Sequence, residues 1–359
     1  MIRSAFKIYV SFSNVPDSAR EVTCLTIISS KREEHTSSSM PFSHHSHSGQ
    51  FCLHALGTLE QVVDEAIRQG FSTFGLSEHC PRYRDQDKYP EEASITVQQL
   101  RDTYFAFLDE AHRLKRERGS EISLLVGIET ESISSIDVNE LKRLLASNDG
   151  ADKIEYVVGS VHHVNETPID FDPATFEKAV TSYGSMPRPE ALGRLCSDYF
   201  DAQFTLLQEV RPEVIGHFDL CRLFEPELNF RELKDVWPKI ERNVKFALQY
   251  GALFEINAAA FRKGWNTAYP GKDVLRLLLD HGARLTLSDD SHGPDRVGLN
   301  YNRTYRYLRE EGVTELWYLA REAGAAPGRQ GTKACRVEGN WWEVQRDFWT
   351  RTGVSRAGY

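Results

Sequence analysis

The sequence predicts an α/β barrel. Three observations carry that expectation. From Met40 onward, amphipathic helices that stop at glycine alternate with short apolar runs rich in β-branched residues; about six or seven such runs share one stretch of chain; and polar residues with metal-binding chemistry gather where those runs end. Strands separated by helices pair in parallel, and a parallel sheet needs helices on its faces. That many strands in one unit favours a barrel over an open sheet, and in such barrels the chemistry sits at the C-terminal strand ends.

In chain order, residues 1–39 contain the Ser-rich stretch SSKREEHTSSS and show no helical or strand period. They lack a signal-peptide pattern, and Asp17, Glu21, Glu33 and Glu34 argue against a transit peptide. They read as a disordered or dispensable extension, with Met40 a workable start; a single barrel domain with a closing C-terminal segment is expected over residues 40–359. LGTLEQVVDEAIRQG places Leu59, Val62, Val63, Ala66 and Ile67 at helical spacing and stops at Gly70, and FSTFGLSEH follows as a buried strand. SLLVGIET, KIEYVVGSVHH and PEVIGHFD are further strand candidates. VWPKIERNVKFALQYG is a helix ending at Gly251 before the strand ALFEINAAA, and KDVLRLLLDHG ends at Gly282 before ARLTLSDDSH. The polar, Pro-containing segments 82–100 and 169–189 read as loops over the barrel mouth. Beyond Glu322, GAAPGRQG and NWWEVQRDFW read as a closing helix packed on the outside, with Trp341 and Trp342 as packing residues.

Composition narrows the function. The 359 residues, 40% of them hydrophobic, suffice for one large core. A net charge of -9 without a long basic run argues against a nucleic-acid surface. No segment approaches the roughly 20 apolar residues that cross a bilayer, so no membrane partner is expected. Six scattered cysteines with no CxxC pair exclude a disulfide-stapled fold and make a cytoplasmic location the simplest reading. Cys52 and Cys80 lie near candidate histidines, so a thiolate zinc ligand is weighed against the plainer role of a small buried hydrophobe.

Of twelve histidines, seven fall at or just after predicted strand ends: His45, His47, His54, His79, His162, His217 and His292. In His45-Ser46-His47 the i, i+2 spacing puts two imidazoles on one face of a strand, with His44 facing away. Glu129 ends SLLVGIE, and Asp290 precedes His292 in SDDSH, so carboxylates join the imidazoles. Mixed nitrogen and oxygen donors suit zinc, manganese or iron, and a carboxylate can bridge two ions. Structural zinc sites are usually closed and Cys-rich, so a structural zinc-binding protein fits less well than an enzyme. Neither a GxSxG elbow nor a CxxxxxR loop is present to supply a protein nucleophile.

HSHSGQFCLHA, GLSEHCP, GIETE, VVGSVHH, IGHFDL, EINAAAFRKG and LSDDSHGPDRVG follow one another over most of the chain. In these stretches it resembles a histidinol-phosphatase of the PHP (polymerase and histidinol phosphatase) superfamily, fungal type. The resemblance implies a distorted (β/α)7 TIM-like barrel of the PHP type holding two to three divalent transition-metal ions (Zn, Mn or Fe). His45, His47, Glu129 and Asp290 would hold the first ion; Glu129 would bridge to a second on His162 and His217; His54, His79 and His292 would hold the third. Two positions depart from the family pattern: Ser43 replaces the acid before the first HxH, and the TDH-type motif reads Ser77-Glu78-His79.

The implied substrate is a small-molecule phosphate monoester, L-histidinol phosphate, hydrolysed to L-histidinol and phosphate in L-histidine biosynthesis. Three divalent ions against two carboxylates leave roughly +4, which favours a phosphate dianion, and they supply hydroxide to the phosphorus. No side chain is designated as catalytic beyond Glu129 as bridging ligand. Arg262, five residues beyond Asn257, is the candidate phosphate clamp, with a solvated loop arginine as the plain alternative. Arg222 and Glu131 are also expected near the mouth. The runner-up reading is a PHP phosphoesterase acting on nucleotides or DNA ends.

Overall fold

Seven short strands line up in sequence order in one all-parallel sheet: β1 (Phe42–Ser43), β2 (Thr73–Leu76), β3 (Ser123–Glu129), β4 (Tyr156–Gly159), β5 (Val214–Ile215), β6 (Leu253–Asn257) and β7 (Arg284–Ser288). The structure is a computed structural model that describes residues 40–343 and 346–351; the expectation for residues 1–39 lies outside them. The sheet curls into a nearly closed barrel, as the alternating pattern predicts. Its seam is joined just past the ends of β1 and β7, where Ser46–His47 pairs in parallel with Ser291–His292. The His45-Ser46-His47 motif is therefore not one continuous strand: β1 stops at Ser43, and the chain re-pairs across the seam at Ser46.

The helices behave as their sequence signals predict. Leu59–Gln69 starts in a capping box in which Thr58 and Gln61 satisfy each other's backbone N–H groups. It buries Leu59, Val62, Val63 and Ala66, each larger side chain contributing about 1.5–3 kcal/mol. Gly70 ends it at φ 82°, and Gly251 ends Trp237–Tyr250 at φ 83°; a β-carbon disfavours that left-handed region, so glycine is the natural stop.

Inside the barrel, Tyr156 fills the space between neighbouring strands. A β-carbon at Gly127 would come within 2.5 Å of its ring, and one at Gly75 within 2.3 Å of its hydroxyl oxygen. Two glycines in strands, ordinarily a cost, thus make room for one buried aromatic side chain. Its hydroxyl donates to the His44 carbonyl at 2.9 Å.

Three expectations need correction. The segment 169–189 carries the helix Pro173–Thr181 rather than loop alone. The segment 82–100 contains the short turns Asp85–Asp87 and Pro90–Glu92, and the next helix already begins at Val97. The C-terminal region is more than a closing helix: Trp317–Arg321 and Thr332–Arg336 form an antiparallel hairpin. Leu319 of that hairpin packs with Leu125, Tyr156, Val158, Val214 and Leu253. The hairpin plugs the N-terminal end of the barrel, opposite the polar strand ends. Trp341 is a packing residue, fully buried with its indole N–H donated to Val313 O at 3.1 Å.

Candidate metal centre

Every strand end contributes to one polar layer. His45 and His47 follow β1, His79 follows β2, Glu129 closes β3, His162 follows β4, His217 follows β5, Asn257 closes β6, and Asp290 and His292 follow β7. His54 sits on the turn after Ser46–His47. Donor atoms within 4.8 Å of one another form the groups His45, His47 and Asp290; His47, His79 and Glu129; Glu129, His162 and His217; and Cys52, His54, His79 and His292. The nine residues singled out as ligands thus converge on one centre, with Glu129 shared between groups.

Glu129 is fully buried. Its Oε1 lies 3.0 Å from His45 Nε2, 3.3 Å from His162 Nε2 and 3.2 Å from His217 Nε2, and its Oε2 lies 3.2 Å from His47 Nε2. Several of these approaches lack hydrogen-bond geometry. His45 Nε2, His47 Nε2, His79 Nε2 and Glu129 Oε2 are buried with no hydrogen-bond partner among the described residues. Buried polar atoms are normally satisfied, and lone pairs that converge without bonding each other are what an ion would satisfy. The donor set fits a divalent transition metal.

Behind the imidazoles stand three carboxylates: Glu255, which motif reading did not single out, Glu78 of the departing motif, and Glu131, expected near the mouth and here buried. Glu255 Oε1 is 2.8 Å from His45 Nδ1, while its Oε2 accepts from His217 N at 2.6 Å and Asn257 Nδ2 at 3.0 Å. Glu78 Oε2 is 3.3 Å from His47 Nδ1, and its Oε1 takes the Ser48 N–H and hydroxyl at 2.8 and 2.9 Å. Glu131 reaches His79 Nδ1 at 2.9 Å, His162 Nδ1 at 3.2 Å and Arg82 Nη1 at 2.7 Å. A carboxylate on one ring nitrogen fixes the tautomer that leaves the other nitrogen free to bind metal. A signal existed for Glu255, since a charge in the middle of the apolar run ALFEINAAA needs a partner.

Electrostatics follow from this packing. Burial opposes charge on His45 and His162, yet the carboxylates around them, Glu129 first, outweigh it and hold both pKa values well above the usual imidazole range. His47 is likewise raised to about 9, against burial, by Glu129 and Glu78. Burial would raise the Glu129 carboxyl, but His45, His162 and His79 hold it well below the usual range. A metal ion would compete here with protons for the same lone pairs. Asp290 sits at φ 47°, a left-handed conformation uncommon outside glycine, with its N–H held by Ser288 Oγ at 3.1 Å.

The two departures from the family motif have structural answers. Ser43 Oγ donates to Asp289 Oδ1 at 2.8 Å, so a second acid from the SDDSH stretch serves the position in front of the first HxH. Glu78 stands behind His47, as described. Arg222, expected near the mouth, is instead buried as a fold clamp: its guanidinium pairs with Asp219 and Asp273, both at 2.6 Å, and lies over the rings of Phe230 and Trp265. Cys80 belongs to the apolar core and to none of the donor groups.

Above the centre lies a cavity of about 240 Å³. Glu129, His54, His79, His162, His217, Asp290 and His292 line it together with Arg262, Lys263 and Arg296. Arg262 is exposed at this rim; loss of hydration pulls its pKa down, and Asp290 works against that shift. Tyr89, Glu91, Asp170, Phe171 and Leu220 complete the lining. No helix among the described residues is long and apolar enough to cross a membrane.

Comparison with known proteins agrees with this geometry. The model of the PHP domain family matches residues 43–259. A probable histidinol-phosphatase of Schizosaccharomyces pombe is 48% identical over 307 residues, covering 84% of this chain and 96% of the relative. The histidinol-phosphatase of Saccharomyces cerevisiae is 33% identical over 310 residues, covering 77% of this chain and 90% of the relative. Among solved structures, histidinol phosphate phosphatase from Lactococcus lactis, complexed with zinc, L-histidinol and phosphate, matches with a TM-score of 0.57 at 17% identity over 81% of this chain and 98% of that one. That likeness supports the fold.

Proposed function

Because the chain belongs to the PHP family, among its histidinol-phosphatases, we propose that it hydrolyses L-histidinol phosphate to L-histidinol and inorganic phosphate. The observation that carries this reading is the cavity itself: its floor holds the convergent donor groups around Glu129, and its rim carries Arg262, Lys263 and Arg296. A cation-binding floor under a basic rim suits a phosphate dianion. The same cavity presents Asp170 and Glu91 with the rings of Tyr89 and Phe171, chemistry that suits an ammonium group and an imidazole.

His45, His47, Glu129 and Asp290 would hold one divalent ion, Glu129 with His162 and His217 a second, and His54, His79 and His292 a third, with zinc, manganese and iron all compatible. When bound, such ions lower the pKa of water and neutralise charge on the phosphoryl oxygens. The chain's own residues do the positioning. Glu129 is shared between donor groups, Glu78 and Glu255 hold the far ring nitrogens of His47 and His45, and Glu131 lies beside Nδ1 of His79 and of His162. Arg262 grips the phosphate with two parallel N–H groups. In the net reaction water forms the new P–O bond, the ester P–O bond breaks, and the alcohol of histidinol leaves with a proton.

The test is a comparison of kcat/KM for L-histidinol phosphate, an aryl phosphate and a nucleotide, with the metal content of the protein measured alongside. Histidinol phosphate should be preferred by orders of magnitude. A wide preference for the nucleotide would overturn the substrate assignment, and full activity in chelated, metal-free protein would overturn the metal chemistry.

A further inference from the structure

The geometry points to Cys52 as a fourth protein ligand of the ion held by His54, His79 and His292, an inference that rests on the reading that this group binds an ion. Cys52 is buried, 6% exposed, and its Sγ stands 3.2 Å from His54 Nε2. Sγ and one nitrogen from each of the three histidines all lie within 4.8 Å of one another.

The thiol is held there by the backbone. Cys52 N donates to Ser48 O at 2.9 Å and Ala55 N donates to Cys52 O at 3.1 Å, which fixes the turn from both sides. Ser48 is itself held by Glu78, the carboxylate behind His47. The neighbouring imidazoles are oriented to leave one nitrogen each for the same point. His54 Nδ1 faces Glu91 Oε1 at 3.2 Å, so Nε2 is the nitrogen turned towards Sγ. His292 Nδ1 donates to Asp290 O at 3.0 Å, and His79 Nε2 is buried with no hydrogen-bond partner among the described residues. Cys80, the residue next to His79, belongs to none of the donor groups and packs in the apolar core.

Three imidazoles and one thiolate would offer the ion nitrogen and sulfur donors of the kinds zinc takes. The thiol gives up its proton to solvent as the sulfur–metal bond forms, and no redox partner is needed. A thiolate lowers the net positive charge at this ion by one and shifts its preference from manganese towards zinc, because sulfur is the softer donor. The third ion would then differ chemically from the two that share Glu129.

Cobalt loading reads this directly. In full-length protein reconstituted with cobalt, a near-ultraviolet thiolate-to-cobalt charge-transfer band should appear, and it should vanish in Cys52→Ser while Cys24, Cys80, Cys196, Cys221 and Cys335 remain. Mass spectrometry after alkylation of the unmutated protein gives a second reading independent of the variant's folding: Cys52 should be protected when zinc or cobalt is bound and labelled after chelation. A fully loaded protein with no band, a band that persists in Cys52→Ser, or equal labelling with and without metal would overturn the assignment. If His79→Ala loses no cobalt, the group holds no ion, and the reading of the centre fails along with the role of Cys52.

Discussion

Glu255→Gln tests the proposed centre from behind. Glu255 is fully buried and serves three partners, His45 Nδ1 at 2.8 Å, the His217 N–H at 2.6 Å and Asn257 Nδ2 at 3.0 Å. Glutamine keeps the shape but replaces one acceptor oxygen with a donor. If the new amide nitrogen faces His217 N and Asn257 Nδ2, donors oppose donors in a buried site, at a cost of about 1–3 kcal/mol. If it faces His45 instead, every hydrogen bond can be satisfied, but Nδ1 must accept, and the ring proton moves to Nε2, the nitrogen the first ion needs. Either way the lost charge falls on the proposed ion of His45, His47 and Asp290, and the second orientation adds the wrong tautomer. Losing such an outer partner typically costs roughly 10- to 100-fold in metal affinity. Competition titration with a chelator should show one ion weakened by that factor, the ion on His54, His79 and His292 unchanged, and kcat largely restored at saturating metal. Affinity within about two-fold of the parent at every ion would refute the role given to Glu255.

Glu129→Gln removes the charge shared by two donor groups, and kcat should fall on the order of 10³-fold with little change in melting temperature; retention of kcat within ten-fold would contradict the bridging role. Arg262→Ala should raise KM for the phosphate ester by roughly 10- to 100-fold, the scale of a lost charge-assisted hydrogen bond, and a fall in kcat alone would count against a simple phosphate clamp. His44 is fully buried, its Nε2 accepts from Leu319 N at 2.9 Å, and burial lowers its pKa from 6.5 to about 3. A depressed pKa stabilises the fold above pH 6.5 and withdraws that support as pH falls towards 3, by about 1.4 kcal/mol per pH unit, so unfolding free energy should drop less steeply with acid in His44→Gln than in the parent. A chain beginning at Met40 should keep full activity and melting temperature, and a large loss in either would show that residues 1–39 belong to the working protein.

Much of the architecture is legible in the residues because it rests on local rules. Gly70 and Gly251 stop helices for a steric reason visible in any sequence, and the period of Leu59, Val62, Val63 and Ala66 identifies the buried face. The donor residues are legible because imidazoles and carboxylates at the ends of apolar runs have few other reasons to be there. What escapes is set by pairing at a distance. Nothing local announces that β1 stops at Ser43 and re-pairs at Ser46, since the partner Ser291–His292 lies far along the chain, beyond the last strand of the sheet. The hairpin of Trp317–Arg321 and Thr332–Arg336 is only partly buried, so its alternation is weak. Arg222 reads as a mouth residue until Asp219 and Asp273 are seen to enclose it.

The outer carboxylates link these two levels. Glu78, Glu129, Glu131, Glu255 and Asp290 are all buried within one small region, and unpaired buried charge is too costly to persist. Glu131 has Arg82 within 2.7 Å, but the other four face imidazoles. Those imidazoles can balance them only as imidazolium ions, or as neutral ligands when divalent cations carry the charge. The raised pKa values of His45, His47 and His162 and the depressed one of Glu129 describe the first arrangement. The orphaned nitrogens turned towards common points are suited to the second. A barrel mouth in which several acids are stable only opposite protons or metal ions is organised to bind metal, and an ion held there would take the place of protons on groups already in position.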